Sequence, residues 1–445
     1  MLRERSLGES LWEAVLPAEL RELPGELAKV DSILDDDRFM APFRSRLTAT
    51  TGRPTIPIES YLRLMYLKHR YGLGYETLCK EVSDSFTWRR FCRIAVDARV
   101  PGPTTLIKLT RRLGPGLVDE LNAELLSLAV ERKVLRSRRL RIDTTVVEAD
   151  VRSPTDSGLC AHAVSRLTRL AKRIKATGLA SRSRLRDRRR SVGKRVRAIS
   201  AARVRGSKSL ATMDRLTAEI AERAKRTVRE ARRLARNARG GTRRKGSSVA
   251  LVRQLEREIA AAEQILAQTE LRLGGQRTIP DRRVSLIDPD ARPIRMGSPA
   301  RPTHFGYKAR VADTGEGFVI ADISDRGNPV DASLLDEAIK KAKQAGMNVR
   351  SVYADRGFGT SRGDAALSEH AIRDVVIPRQ QKAAPIEHTR SRKRRYRYRN
   401  GLEGRISQLK RKGLRRTRLR TLTGAQTWVG GITLAHNLQR MTLLS

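Results

Sequence analysis

The sequence predicts an α/β protein: a mixed sheet flanked by helices, with an all-helical N-terminal domain ahead of it and a long basic helical insertion after its first strand. Three observations carry this. Residues 57–135 show helical apolar spacing with short breaks. At residue 139 the period changes to the β-branched run "RLRIDTTVVEADV". After residue 303 strand-like and helix-like runs alternate.

Taken in order, the first helical stretch is "PIESYLRLMYLKHR", the turn "YGLG", then "YETLCKEVSDSFTWRRFC". A Gly-bearing turn between two apolar-periodic helices is compatible with a helix-turn-helix, and equally with a helical hairpin that never meets DNA. "VPGPTTLIKLTRRLG" follows, with Thr104 or Thr105 placed to cap another helix. The strand at 139 opens a new domain, but "HAVSRLTRLAKRIK" returns at once to helical spacing. Further on, Val252, Leu255, Ile259, Ala262, Leu266, Thr269 and Leu273 alternate steps of 3 and 4, the seam of a helix packed lengthwise on another. The basic break "RGGTRRKGSS" separates two such helices. Strands then resume with "FGYKARVAD", "EGFVIADIS", "VRSVYAD" and "RDVVIP", with helices interspersed. Hairpin-linked strands first and crossover strands later describe a mixed sheet. The expected domains are 1–135, helical; 136–159 with 276–445, the sheet domain; and 160–275, the insertion.

The formal net charge is +44, from 92 Lys and Arg against 48 Asp and Glu. That excess calls for a polyanionic partner, and nucleic acid rewards it best through phosphate contacts. Residues 161–250 alone hold 29 basic and 5 acidic side chains, so the insertion is expected to touch phosphate. No apolar run is long enough to span a membrane and the first residues carry interleaved acids, so neither a membrane segment nor a signal peptide is expected, and a cytoplasmic location is. Cys79, Cys92 and Cys160 lack zinc-site spacing and suit a reducing compartment.

Three carboxylates stand out. Asp143 lies inside the β-branched strand, where a charge is costly unless paired or metal-bound. Asp355 sits where an apolar strand runs into the Gly-rich turn "DRGFG", at the kind of strand end where ligands collect. Glu403 is the single acid in residues 392–420, against fourteen Lys or Arg. On a helix, Tyr396, Arg399, Glu403 and Lys410 fall within about 60° of one another, beside an apolar stripe of Leu402, Ile406 and Leu409. Three acids from separate elements of one sheet suggest a site for Mg²⁺ or Mn²⁺, two ions acting at a phosphodiester. The bland readings are end-of-strand turn residues for the aspartates and a surface ion pair with Arg399 for Glu403.

These residues resemble those of a known family. The spacing Tyr396-x2-Arg399-x3-Glu403-x6-Lys410, with "IDTTVVEA" and "YADRGFG", is similar to the DDE transposases of bacterial insertion sequences, whose catalytic domain is ribonuclease H-like. The resemblance implies that Asp143, Asp355 and Glu403 carry the metals and that Tyr396, Arg399 and Lys410 contact DNA at the transposon end. It implies end cleavage exposing a 3′-OH that is then joined to target DNA, performed by a homodimer at the bacterial nucleoid. Arg356 and Lys308 are further candidate phosphate contacts. Asp156, Glu148, His162 and His304 carry weaker claims, and Trp428 reads as packing. A nuclease that cuts without joining and a non-catalytic DNA-binding derivative are the alternatives.

Overall fold

The computed structural model describes residues 17–47, 54–151, 154–202, 207–240, 246–296, 302–378 and 390–444. The chain divides into two compact units, Met1–Ala149 with Gly306–Ser445, and Asp150–Phe305.

The helices of the first unit begin with α1 (Ala18–Arg21), α2 (Gly25–Leu34), α3 (Ala41–Arg46), α4 (Ile58–Arg70), α5 (Tyr75–Asp84), α6 (Phe86–Phe91) and α7 (Pro103–Glu131). The turn expected after α4 forms with Gly72 at φ 66°, a conformation that glycine adopts without strain. The single helix expected from Tyr75 to Cys92 is broken at Ser85. Its backbone is extended and its hydroxyl accepts from the Trp88 N–H, so it caps α6 instead of continuing α5. Inside α7, Gly114 at φ 69° ahead of Pro115 kinks the helix.

Strand β1 (Arg139–Glu148) lies in the sheet between strands contributed by the later chain. After it the chain forms the insertion helices α8 (Asp156–Ala176), α9 (Arg189–Ala201), α10 (Ser207–Arg239) and α11 (Gly246–Leu273). Next come β2 (Arg292–Arg295), β3 (Thr303–Thr314), β4 (Val319–Asp322), α12 (Leu335–Gln344), β5 (Ser351–Ala354), α13 (Ser361–Glu369), β6 (Asp374–Val376), α14 (Arg390–Leu409) and α15 (Leu422–Leu444). The sheet runs β4-β3-β1-β5-β6, with β1 antiparallel to β3 and parallel to β5. This is the hairpin-then-crossover order that the sequence implied. The short β2 was not foreseen; it pairs with β3, whose first three residues also group with the insertion.

The N-terminal helices and the sheet share one hydrophobic core, from Leu27, Phe43 and Leu67 through Leu121 to Ile142, Val352 and Leu438. The boundary expected near residue 135 is therefore not a break in packing. Helix α15 is buried along most of its length and closes the sheet edge at β4. Asn437 acts there as a substitute strand partner, accepting from the Val319 N–H at 2.8 Å and donating to the Val319 carbonyl at 2.7 Å. Trp428 is 3% exposed and donates to the Gly413 carbonyl, the packing role expected of it.

In the second unit the seam forms as spaced: Val252, Leu255, Ile259, Ala262, Leu266 and Thr269 are buried, and Leu273 is half-buried at the end. These side chains meet Leu159, Val164, Leu167, Ile174, Val228 and Leu234, so the seam is satisfied within one chain. Part of the basic break, residues 241–245, lies outside the described residues. Asp156 stands in the first turn of α8, behind a Thr155 cap whose hydroxyl accepts from the Gly158 N–H, and is also buried and paired with Arg272 and Arg282, each at 2.9 Å.

Candidate active site

Strand register brings the two aspartates together. Ile142 of β1 pairs with Ala354 of β5 in the parallel ladder, and Asp143 and Asp355 each follow by one residue. Both are half-buried. Asp143 Oδ1 accepts from the Thr144 N–H at 2.7 Å. Asp355 Oδ1 accepts from the Gly357 N–H at 2.9 Å, turning the chain sharply after the strand. Each carboxylate thus has one oxygen anchored by backbone.

Burial pushes the Asp143 carboxyl up to about 6, against the Thr144 N–H, and the charge of Asp355 adds to the rise. Burial raises Asp355 as well, with the charge of Asp331 adding to it. Arg399 opposes both shifts. The site is therefore a pair of mutually repelling carboxylates with one guanidinium facing them, an arrangement short of positive charge.

Helix α14 supplies that guanidinium, and a buried ion pair fixes the helix to the sheet. Arg141 of β1 donates to both oxygens of Asp313, at 2.7 and 2.6 Å, and also to the Tyr398 carbonyl of α14 at 2.9 Å. Arg141 packs against the Tyr398 ring, which in turn meets the Tyr353 ring edge-on. Gly401 permits the approach, since a Cβ there would collide with the Arg141 guanidinium. Asp313 is fully buried, so Arg141→Met is expected to destabilise the fold by about 2 kcal/mol. That is less than a fully orphaned charge would cost, because Arg405 Nε also lies 3.4 Å from Asp313. Denaturant unfolding monitored by circular dichroism measures it.

Along α14, Leu402, Ile406 and Leu409 are buried as the stripe required. Glu403 is exposed, one turn beyond Arg399. Tyr396 is half-buried a turn earlier. Lys410 is half-buried and lowered, by burial first and by Arg415 second, while Glu148 and Asp143 pull the other way. The chain after α14 then runs beside the end of β1. The Glu148 N–H donates to the Arg415 carbonyl at 2.9 Å and the Thr417 N–H to the Glu148 carbonyl at 2.9 Å. Glu148 thus serves this junction, and exposed Arg415 and Arg416 lie at the end of β1 beyond Asp143.

The remaining candidates separate. Arg356 is exposed on the turn after Asp355. Lys308 is only 7% exposed, with Nζ 2.7 Å from Asp331 and 2.8 Å from the Pro329 carbonyl, so it points inward and not toward a surface ligand. His162 and His304 belong to the insertion unit, apart from the unit holding the aspartates. Asp331 is the residue that sequence reasoning missed. It accepts from Thr144 Oγ1 at 3.0 Å and lies against Gly357, where a Cβ would come within 2.6 Å of its Oδ2. Its one signal was an acid opening "DASLLDEA", indistinguishable from ordinary helix-start chemistry. In the candidate helix-turn-helix, α5 exposes Glu76, Glu81 and Asp84 against Lys80 alone. The exposed face of this one helix therefore carries more acid than base.

Among the described residues no three His, Cys, Asp or Glu side chains form a ready metal cage. Asp143 and Asp355 nevertheless fit a hard divalent cation: they are oxygen donors, anchored, adjacent and electrostatically unbalanced. No helix among the described residues is long and apolar enough to cross a membrane.

Comparison with known proteins identifies the family. Residues 17–112 match the family model described as "Transposase domain (DUF772)", and residues 280–438 match "Transposase DDE domain". Over 154 residues, 31% of this chain, it is 30% identical to an uncharacterized protein, ORF8 in the nfe locus of Rhizobium meliloti, covering 72% of that protein. No solved structure matches. With both models on one chain, and the matched DDE domain containing Asp355 and Glu403 and pairing through β5 with the strand that carries Asp143, the chain belongs to the DDE transposases of insertion-sequence type.

Proposed function

We propose that this transposase binds the terminal inverted repeats of its element, hydrolyses the end phosphodiester, and joins the 3′-OH to target DNA, with Asp143, Asp355 and Glu403 as the metal-holding carboxylates. The observation that carries the reading is the register that sets Asp143, in the middle of β1, beside Asp355, where the parallel strand β5 ends, with Arg399 facing both. The sheet order β4-β3-β1-β5-β6, antiparallel then parallel, supports a ribonuclease H-like catalytic fold.

Two divalent ions, Mg²⁺ or Mn²⁺, would supply activation of the attacking oxygen and charge relief at the leaving oxygen. The chain's own residues supply the rest. Backbone N–H groups of Thr144 and Gly357 hold the aspartates in fixed orientation. Arg399 limits their repulsion before substrate arrives and is placed to meet a phosphate when one does. Tyr396, Lys410 and the exposed Arg356 complete the surface assigned to the DNA end, joined by Arg415 and Arg416. Lys308, turned inward onto Asp331, is left out of that surface. A homodimer would bring two ends together, and the basic insertion would add phosphate contacts.

The test is cleavage and joining of a labelled duplex carrying the terminal repeats that flank the gene, in Mg²⁺, with wild type and Glu403→Gln. Wild type should give joined product, and the variant should lose it by about 10²-fold or more while still binding ends. Equal activity in the variant would remove Glu403 from the chemistry. Free 3′-OH ends without joining would make the protein a cutting-only nuclease; end binding with neither step would make it a non-catalytic derivative.

A further inference from the structure

Asp331 and Lys308 form a charge pair beside the candidate metal carboxylates that the transposase reading does not use. Asp331 opens the turn before α12, and its Oδ1 is held by Thr144 Oγ1 at 3.0 Å and by Lys308 Nζ at 2.7 Å. Thr144 is the residue whose N–H anchors Asp143. Asp331 Oδ2 lies against Gly357, whose N–H anchors Asp355; a Cβ on that glycine would sit 2.6 Å from Asp331 Oδ2 and 3.2 Å from Asp355 Oδ1. A single carboxylate therefore lies against both of the residues whose N–H groups anchor the pair. Lys308, nearly fully buried, holds Asp331 and the Pro329 carbonyl, and its charge also acts on Asp355.

Resting on the metal-site reading above, we infer that Asp331 is a positioning residue. It supplies a third negative charge that strengthens cation capture by Asp143 and Asp355 without ligating the ion, and Lys308 is the built-in counter-charge that tempers it. Outer-shell groups that orient ligating side chains commonly change metal affinity by about 10- to 100-fold when removed. The inference makes opposite predictions for the two partners. Asp331→Asn keeps the shape and the contact with Thr144 but removes the charge, so divalent affinity should fall. Lys308→Met keeps the stem and removes the opposing charge, so affinity should rise. A merely structural pair would lower affinity in both variants, together with stability.

The experiment is a Mn²⁺ titration of the full chain followed by electron paramagnetic resonance of free ion. It compares wild type, Asp331→Asn, Lys308→Met and Asp143→Asn, with thermal unfolding in chelator as a check on folding. The expected result is Mn²⁺ binding that Asp143→Asn abolishes, that Asp331→Asn weakens about tenfold and that Lys308→Met tightens. Binding lost in Asp143→Asn but unchanged in Asp331→Asn overturns the role of Asp331 and leaves the metal site standing. Weaker binding in both Asp331→Asn and Lys308→Met also overturns it. No specific Mn²⁺ binding by wild type, or binding indifferent to Asp143→Asn, overturns the metal site and this inference together.

Discussion

Asp143→Asn is expected to abolish end cleavage and joining, by about 10³-fold or more, while leaving the fold at least as stable as wild type in the absence of divalent metal. The activity loss follows from removing one of two anchored oxygen donors where several kcal/mol of charge stabilisation is needed. Stability should be spared because the carboxylate is half-buried, repelled by Asp355, and compensated only in part by Arg399. An asparagine accepts the same Thr144 N–H without the charge. The readouts are the labelled-duplex assay and thermal unfolding in chelator, run side by side. An active variant would move the chemistry elsewhere, and an inactive variant that is also much less stable would make Asp143 a structural residue.

The second large effect concerns Lys68, far from that chemistry in chain order. Its side chain is 1% exposed, its Nζ lies 4.7 Å from the Tyr75 ring centre and 4.3 Å from that of Trp428, and among the described residues it has no hydrogen-bond partner. Burial, with the nearby charge of Arg418 adding to it, pushes the ammonium down to about 7 from the usual 10.5. The sign follows directly. Between those values the unfolded chain holds the proton more tightly than the folded one, so wild-type stability climbs as pH rises through this window and levels off above it. The two rings favour the cation and offset part of the cost. Lys68→Met should therefore be more stable than wild type at pH 7, and its advantage should shrink by about 3 kcal/mol by pH 10. Urea titrations of both proteins at pH 7, 8.5 and 10 measure this, and a difference that does not change with pH would show Lys68 to be protonated in the folded state throughout.

What could be read from sequence depended on how local its cause was. Asp143 announced itself because a charge in "RIDTTVV" has no cheap explanation, and Asp355 because a strand ran into glycines. The apolar stripe of α14 was legible because Leu402, Ile406 and Leu409 repeat with the helix. Asp331 was hidden because its importance comes from Thr144 and Gly357, remote in sequence, and an acid at a helix start already has a reason to exist. Lys308 misled in the same way: alternation along β3 tells which residues share a face, but only packing tells which face is covered. Ser85 was hidden because a serine in a helical run fits a helix interior as readily as a cap until its backbone is seen.

The insertion has a consequence for how the chain folds. Glu148 and Gly306 are cross-strand partners, so the β1–β3 ladder is zipped across everything between them. Closing so long a stretch as open coil carries an entropic penalty that grows with its length. Contacts among α8, α10 and α11 are local by comparison and form fast. A collapsed insertion shortens the effective loop, so the bundle would assemble first and deliver β3 to β1. Replacing residues 150–305 by a short turn should then leave refolding of the remaining unit no slower, whereas variants that unravel the bundle while keeping its length should slow sheet formation. The insertion would in this sense be a kinetic tether for the strand that presents Asp143, whatever else it touches.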